Sequence, residues 1–167
     1  EWTGGKAHGA ASLSSVSTDS RQIPPETLFL PLKGERFDAH DFIAKAVDNG
    51  AAAVVSHRQN ETYPVPVLYV ENTAQALLDL AGGYRRLCGG KVVGVTCSVG
   101  KTTTKELLYA VLRQQFCAQK TEGNLNNEVG LPLTLLQMTR KTEVMVAEMG
   151  MNHFGELSRM TAAAQPD

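Results

Sequence analysis

Residues 92–106 read VVGVTCSVGKTTTKE, and the reading of this stretch decides the fold. An apolar run, Val92 to Val95, is followed by a turn containing Gly100, and Lys101 then opens a helical pattern with Leu108, Val111, Leu112 and Gln115 in register. Strand, glycine-bearing turn and helix, in that order, aim backbone N–H groups and the positive end of a helix at one spot, where an anion is favoured. Lys101 adds a full positive charge for the outer phosphates, and the Thr102 hydroxyl is of the type that holds Mg²⁺. The candidate phosphate contacts are Thr96, Cys97, Ser98, Val99, Gly100, Lys101, Thr102 and Thr103. A strict phosphate loop, G-x-x-x-x-G-K-[ST], would place glycine where Val95 stands, and Cys97 and Val99 occupy positions where glycine or a small polar residue is expected. A chance Gly-Lys-Thr on a plain strand–turn–helix is the competing reading. Its placement between an apolar strand and an amphipathic helix favours phosphate.

Downstream, residues 144–148 read VMVAE, four apolar residues ending in Glu148. An acid at the end of a buried strand beside a phosphate loop can hold the metal, directly or through water. Many buried strands end in Glu, so the motif gains its weight from Lys101 upstream. Residues 123–130, GNLNNEVG, offer Asn124, Asn126 and Asn127 as uncharged donors and acceptors. They also suit an ordinary turn, and composition does not choose between the two. Asn152 and His153 follow Glu148 closely, though a lone His is more often packed or solvated than catalytic.

Outward from this stretch, apolar segments at 27–32, 51–56, 65–70 and 143–148 read as strands, with Pro31 pushing the first toward a sheet edge. Helices are expected at 41–47, with Phe42, Ala46 and Val47 on one face, from Asn72 or Thr73 to about Leu87, at 102–116, and at 155–164. A Pro-interrupted apolar segment lies at 131–138, and 119–128 reads as a polar loop. Strands alternating with helices imply parallel sheets covered on both faces, so the fold class is α/β. Two units are expected, 1–87 and 88–167, joined through Cys88-Gly89-Gly90-Lys91. The second offers only two clear strands, and a piece of a longer protein is expected.

Composition bounds the partners. Of the 167 residues 43% are hydrophobic, enough for a core, and the net charge of −1 gives no field to gather nucleic acid. No apolar run is long enough to span a bilayer, and no signal peptide is seen. Three cysteines, Cys88, Cys97 and Cys117, form no C-x-x-C pair, which suits a reducing cytoplasm better than a disulfide framework or a zinc site. In the first unit, STDSR at 17–21 and KGERFDAH at 33–40 flank the strand at 27–32. Loops at strand ends are where ligands of α/β folds sit, and solvated turns are the plain alternative.

Taken together, STDSR, LFLPLKGERFDAHDF at 28–42, NGAAAVVS at 49–56, GVTCSVGKTTTKE at 94–106, TEGNLNNEVGLPLTLL at 121–136 and VAEMGMNHFGEL at 146–157 resemble the Mur ligase family over nearly the whole chain. The GNLNN and EMGxNHxGE blocks resemble the branch that adds D-alanyl-D-alanine. The resemblance implies a small N-terminal α/β domain that binds the UDP-muramyl peptide (1–87), then an incomplete P-loop parallel-sheet ATPase domain (88–167). It implies an ATP- and Mg²⁺-dependent amide ligase of cytoplasmic peptidoglycan precursor synthesis, acting as a monomer. There the terminal carboxylate of a UDP-N-acetylmuramoyl-tripeptide takes the outer phosphate of ATP with loss of ADP. The amine of D-alanyl-D-alanine then attacks the acyl phosphate and phosphate leaves.

By position, Lys101, Glu148 and His153 would be catalytic, and Thr102 and Glu148 would hold the metal. Ser20, Arg21, Lys33, Gly34, Asp38, His40, Asn124, Asn126 and Asn127 would contact the UDP-sugar substrate. The family's loop runs T-G-x-x-G-K-[ST]-T, so Val95 is ordinary within it, whereas Cys97 stands where the family has glycine. If position 97 required positive φ, strain of about 1–3 kcal/mol would oppose phosphate binding. The resemblance further implies that the 167 residues alone are inactive as a ligase. Two other readings remain at this point: a non-catalytic UDP-sugar-binding module with a degenerate loop, and a relative that adds the third amino acid.

Overall fold

The computed structural model describes residues 2–34 and 37–167; Glu1, and Glu35 and Arg36 within the 33–40 stretch, lie outside the described residues. The chain divides into two compact units, Glu1–Leu77 and Leu78–Asp167. In the first, strands β1 (Lys6–His8), β2 (Ser15–Ser17), β3 (Thr27–Phe29), β4 (Ala53–Ser56) and β5 (Val67–Tyr69) form one sheet in the order β1-β5-β4-β3-β2. All neighbours are parallel except β1, which runs antiparallel to β5. A 3₁₀ turn, Ala39–Phe42, leads into helix α1 (Ile43–Asp48). The core gathers Phe29, Ile43, Ala46, Ala51, Val54 and Val67.

Two expectations for this unit are corrected. Strand β3 lies inside the sheet, between β2 and β4, not at its edge. It ends at Phe29, so Pro31 falls beyond it and removes no ladder donor. On α1 the buried residues are Ile43 and Ala46, while Phe42 is exposed. Ala46 is buried and Val47 half-buried as expected, and Phe42 lies in the 3₁₀ turn that precedes the helix rather than on its face.

Helix α2 (Thr73–Cys88) starts where Asn72 Oδ1 accepts from the N–H groups of Ala74 (2.9 Å) and Gln75 (3.1 Å). The expected division after residue 87 and the division by packing differ. The latter falls inside α2, because the second half of the helix belongs to the second unit's core. Ala81 is buried there, the Tyr84 hydroxyl donates to the Met138 carbonyl at 3.0 Å, and Arg85 Nε donates to the Ala164 carbonyl at 3.0 Å. Gly82 does not break the helix; a Cβ there would stand 3.2 Å from the Ala163 carbonyl oxygen.

The second unit runs β6 (Lys91–Val95), α3 (Lys101–Leu112), β7 (Ala118–Lys120), α4 (Gly130–Leu135), β8 (Val144–Glu148) and α5 (Glu156–Ala164). Its sheet is parallel throughout, in the order β6-β8-β7, so three strands stand where two were expected. Strand β8 is central and buried along its whole length, as its unbroken apolar run requires. Val92, Leu131, Leu135, Met138, Met145, Met149 and Met160 fill the core. Pro132 sits in the first turn of α4, where an N–H would lack an intrahelical acceptor anyway. On α3 the expected stripe is only partly met: Leu108 and Leu112 are half-buried, whereas Val111 and Gln115 face solvent.

The Cys88–Lys91 stretch is a tight corner. Gly89 has φ +74° directly after α2, and a Cβ on Gly90 would lie 2.3 Å from the Thr142 carbonyl oxygen. Gly90→Ala is therefore expected to destabilise the second unit by about 1–3 kcal/mol, through a forced backbone shift. Urea denaturation of the two proteins measures it, and an unchanged midpoint would refute the close approach.

Candidate active site

The parallel pairing of β6 with β8 puts Val95 opposite Glu148, so the phosphate loop and the acidic strand end leave the sheet side by side. Gly100, at φ +84°, turns the chain into α3, and Thr104 N–H closes the first turn on the Gly100 carbonyl at 2.9 Å. Residues Thr96, Cys97, Ser98, Val99, Gly100, Thr102 and Thr103 are exposed and Lys101 is half-buried, so the loop is open to a ligand. Lys101 Nζ donates to the Cys97 carbonyl at 2.8 Å, and Cys97 Sγ to the Val99 carbonyl at 2.9 Å. Cys97 is not among the residues of positive φ; in this loop that conformation belongs to Gly100. The strain considered for a non-glycine residue at position 97 is absent.

Glu148 is the organising group, 2% exposed at the end of β8. Its Oε1 accepts from Asn126 Nδ2 at 2.8 Å and from the Thr102 hydroxyl at 3.4 Å, and its own N–H donates to Thr121 Oγ1 at 2.9 Å. Its Oε2 is the single buried side-chain polar atom without a hydrogen bond among the described residues. A buried carboxylate oxygen without a hydrogen bond, beside the Thr102 hydroxyl, offers oxygen ligands of the kind a hard divalent cation takes, so Glu148 and Thr102 fit Mg²⁺.

Of the three asparagines, Asn126 alone reaches this carboxylate among the described residues, and its carbonyl accepts from Gly150 N–H at 2.7 Å. Asn127 Oδ1 instead accepts from Val129 N–H (3.1 Å) and Gly130 N–H (2.8 Å) at the start of α4, which makes it a turn residue. The Asn124 carbonyl accepts from Asn126 N–H at 2.8 Å. His153 is exposed; its N–H and that of Asn152 donate to Glu156 Oε2, and these donors hold the Glu156 carboxyl below its usual range. No contact joins the His153 ring to Glu148 among the described residues. Sequence reasoning missed Thr121, the residue directly after β7 in what reads as a polar loop, and Lys105 on α3.

In the first unit, a cavity of about 480 Å³ is lined by Thr18, Asp19, Ser20, Arg21, Phe29, Phe37, Ala39, Phe42 and Lys45. Phe37 and Phe42 stand with ring centroids 5.2 Å apart at its rim. Arg21 is turned onto Asp19 by hydrogen bonds of 2.8–3.2 Å, and these bonds lower the Asp19 pKa to about 2. Ser20 and Arg21 line this cavity, and Lys33, Gly34, Asp38 and His40, the other substrate contacts expected in this unit, do not. Lys33 pairs with Asp38 in an isolated bridge, and Gly34 N–H donates to the Phe37 carbonyl at 2.8 Å.

Asp38 and His40 instead form a relay. Asp38 Oδ1 faces His40 Nδ1 at 2.6 Å, His40 Nε2 faces His57 Nδ1 at 2.9 Å, and Arg58 donates to Asp38 Oδ2 at 3.0 Å. Phe37, Phe42 and Lys45 were the overlooked lining residues; aromatics interleaved with basic residues were the available signal.

Burial lowers the His40 pKa despite the Asp38 contact, which raises it. The folded state therefore favours neutral His40, and its stability contribution is complete above the unfolded value of about 6.5 and lost as pH falls from there through the lowered folded value. Asp38, which burial pushes up but hydrogen bonds from His40 and Arg58 hold below its usual range, loses its contribution only at much lower pH. Stability is expected to decline as pH falls below about 6.5, and His40→Gln to flatten that slope in thermal melts. An equal slope in the variant would contradict the assignment.

Comparison with known proteins places this geometry. Residues 12–85 match the model "Mur ligase family, catalytic domain", and residues 95–167 match "Mur ligase middle domain". The UDP-N-acetylmuramoyl-tripeptide–D-alanyl-D-alanine ligase of Bacillus subtilis is 46% identical over 157 residues, covering 93% of this chain and 34% of its own length. The ligase of the same name from Escherichia coli is 41% identical, covering 98% and 36%. Among solved structures, MurF from Acinetobacter baumannii superposes with a TM-score of 0.91 at 37% identity, covering 98% of this chain and 37% of that one. A MurF ligase from Thermotoga maritima in complex with ADP gives 0.82 at 38% identity, covering 91% and 35%. The chain spans about a third of the length of the curated relatives it matches.

Proposed function

The chain belongs to the Mur ligase family, and from that premise we propose that it carries the phosphate loop and UDP-sugar domain of an ATP-dependent ligase. The reaction proposed joins D-alanyl-D-alanine to a UDP-N-acetylmuramoyl-tripeptide in the cytoplasm. The observation that carries it is the meeting of Thr102, Asn126 and Glu148 beside the open loop of Lys101. In this reading Lys101 and the N–H groups of the loop bind the outer phosphates of ATP. Its present hydrogen bond to the Cys97 carbonyl is the one it would exchange for phosphate. Thr102 and Glu148 hold Mg²⁺, which supplies charge neutralisation where phosphoryl oxygens gather. Asn126 fixes the Glu148 carboxylate, and His153, on an exposed loop, approaches the reacting carboxylate once substrate is bound.

Residues 1–87 serve as the UDP-muramyl-peptide domain. Its cavity fits that ligand: Phe37 and Phe42 offer faces for a planar base, and Lys45 and Arg21 offer charge for a diphosphate. Residues 88–167 serve as the first half of the ATP-binding domain. Among the described residues no helix is long and apolar enough to cross a membrane. The reading of a degenerate, non-catalytic loop rested on Cys97 and Val99, and the ordinary φ of Cys97 takes backbone strain away from that support.

ATP titration of the 167-residue chain by calorimetry tests the reading. Binding is expected to require Mg²⁺, to fall at least tenfold in Lys101→Ala, and to be unchanged within a factor of about two in Cys97→Gly. Heat of ATP binding that persists in Lys101→Ala would sink the phosphate assignment. Because the chain spans a third of its relatives' length, amide formation by these residues alone is expected to be undetectable.

A further inference from the structure

The stretch GKTTTKE contains a second lysine that the phosphate-loop reading leaves without a task. Lys105 lies one turn after Lys101 on α3 and is 1% exposed. An ammonium leaves water only where a carboxylate meets it. Its Nζ stands 3.5 Å from Glu148 Oε2 and 3.4 Å from Glu106 Oε1. The partner oxygen on Glu148 is the one that carries no hydrogen bond. At 3.5 Å the contact is one of charge with little directed hydrogen bonding, whereas Oε1 is held by Asn126 at 2.8 Å.

We propose that Lys105 is a positioning residue for Glu148. Its ammonium balances the buried carboxylate while leaving the lone pairs of Oε2 to a divalent cation. Two cations on one carboxylate oppose each other, so Lys105 also weakens the site for a bare metal ion. The site then holds its metal firmly only when phosphate brings further negative charge. The inference rests on the reading of Glu148 as a metal-bearing residue.

The test is titration of the chain with Mn²⁺ alone, free Mn²⁺ being counted by electron paramagnetic resonance. Lys105→Met, which keeps the stem and removes the charge, is expected to bind Mn²⁺ about tenfold or more tighter than the parent chain. Lys105→Arg, whose fork can hydrogen-bond Oε2 directly, is expected to bind it several-fold more weakly. A purely structural lysine would lower the melting temperature in both variants and move Mn²⁺ affinity in neither direction. Affinity unchanged or weakened in folded Lys105→Met overturns the proposal. Should that variant not fold, unchanged affinity in Lys105→Arg overturns it. Glu148→Gln separates the two levels: if Mn²⁺ binding survives that change, the metal assignment itself falls, and the role of Lys105 with it. If Glu148→Gln abolishes binding while both lysine variants match the parent, only the role of Lys105 falls.

Discussion

The second unit depends on the register of one strand pair. Strand β6 runs parallel to β8 with Lys91 opposite Val144 and Val95 opposite Glu148. Because side chains alternate across a strand, a slip of one residue would turn Glu148 from its hydroxyl and amide partners to the other face of the sheet. Such a slip would also turn Met145 and Ala147 away from the core cluster they form with Val92. The apolar residues that set the register for packing therefore set it for chemistry too. The phosphate loop and the acid need no separate device to bring them together.

Around that pair, the polar groups that meet Glu148 come from three elements. Thr102 and, one turn on, Lys105 are supplied by α3, Asn126 by the loop before α4, and Thr121, which accepts from the Glu148 N–H, by the residue after β7. Burying a carboxylate without partners would be strongly unfavourable, so the contacts of Thr102, Asn126 and Lys105 are conditions for β8 to end in an acid at all. Of its two oxygens Oε2 lacks a hydrogen bond, and among the described residues the charge paired with it is Lys105, at a distance too long for a strong one. Rigidity on one oxygen and openness on the other is what a metal-bearing carboxylate requires.

What the sequence disclosed follows from the signals each element carries. Strands β4, β6 and β8 and helices α2 and α5 announce themselves by apolar runs or by a cap, and they are found close to where they were expected. Strands β1, β2 and β7 are KAH, SVS and AQK, three residues each, exposed or half-buried. They exist because a neighbouring strand offers them a ladder, and no local pattern marks that. Lys101, Thr102 and Glu148 were singled out because their motif ties them to strand and helix ends, whereas Asn126 was singled out as a substrate contact within GNLNN and stands instead against Glu148. Lys105 was not, because a lysine in the middle of a helix reads as solvated until the partner strand is known.

The first unit shows the same limit from the opposite side. The 33–40 stretch was marked by its polar residues, yet Asp38 and His40 are turned inward to His57 and Arg58, while Phe37, an apolar residue, remains at the rim of the cavity. A buried imidazole must place both ring nitrogens. Asp38 occupies one, His57 occupies the other, and neither is left for a ligand. The relay thereby fixes the 3₁₀ turn Ala39–Phe42, and that turn is what holds Phe42 beside Phe37. The polar residues Asp38 and His40 shape the cavity from behind, and Phe37 and Phe42 line it.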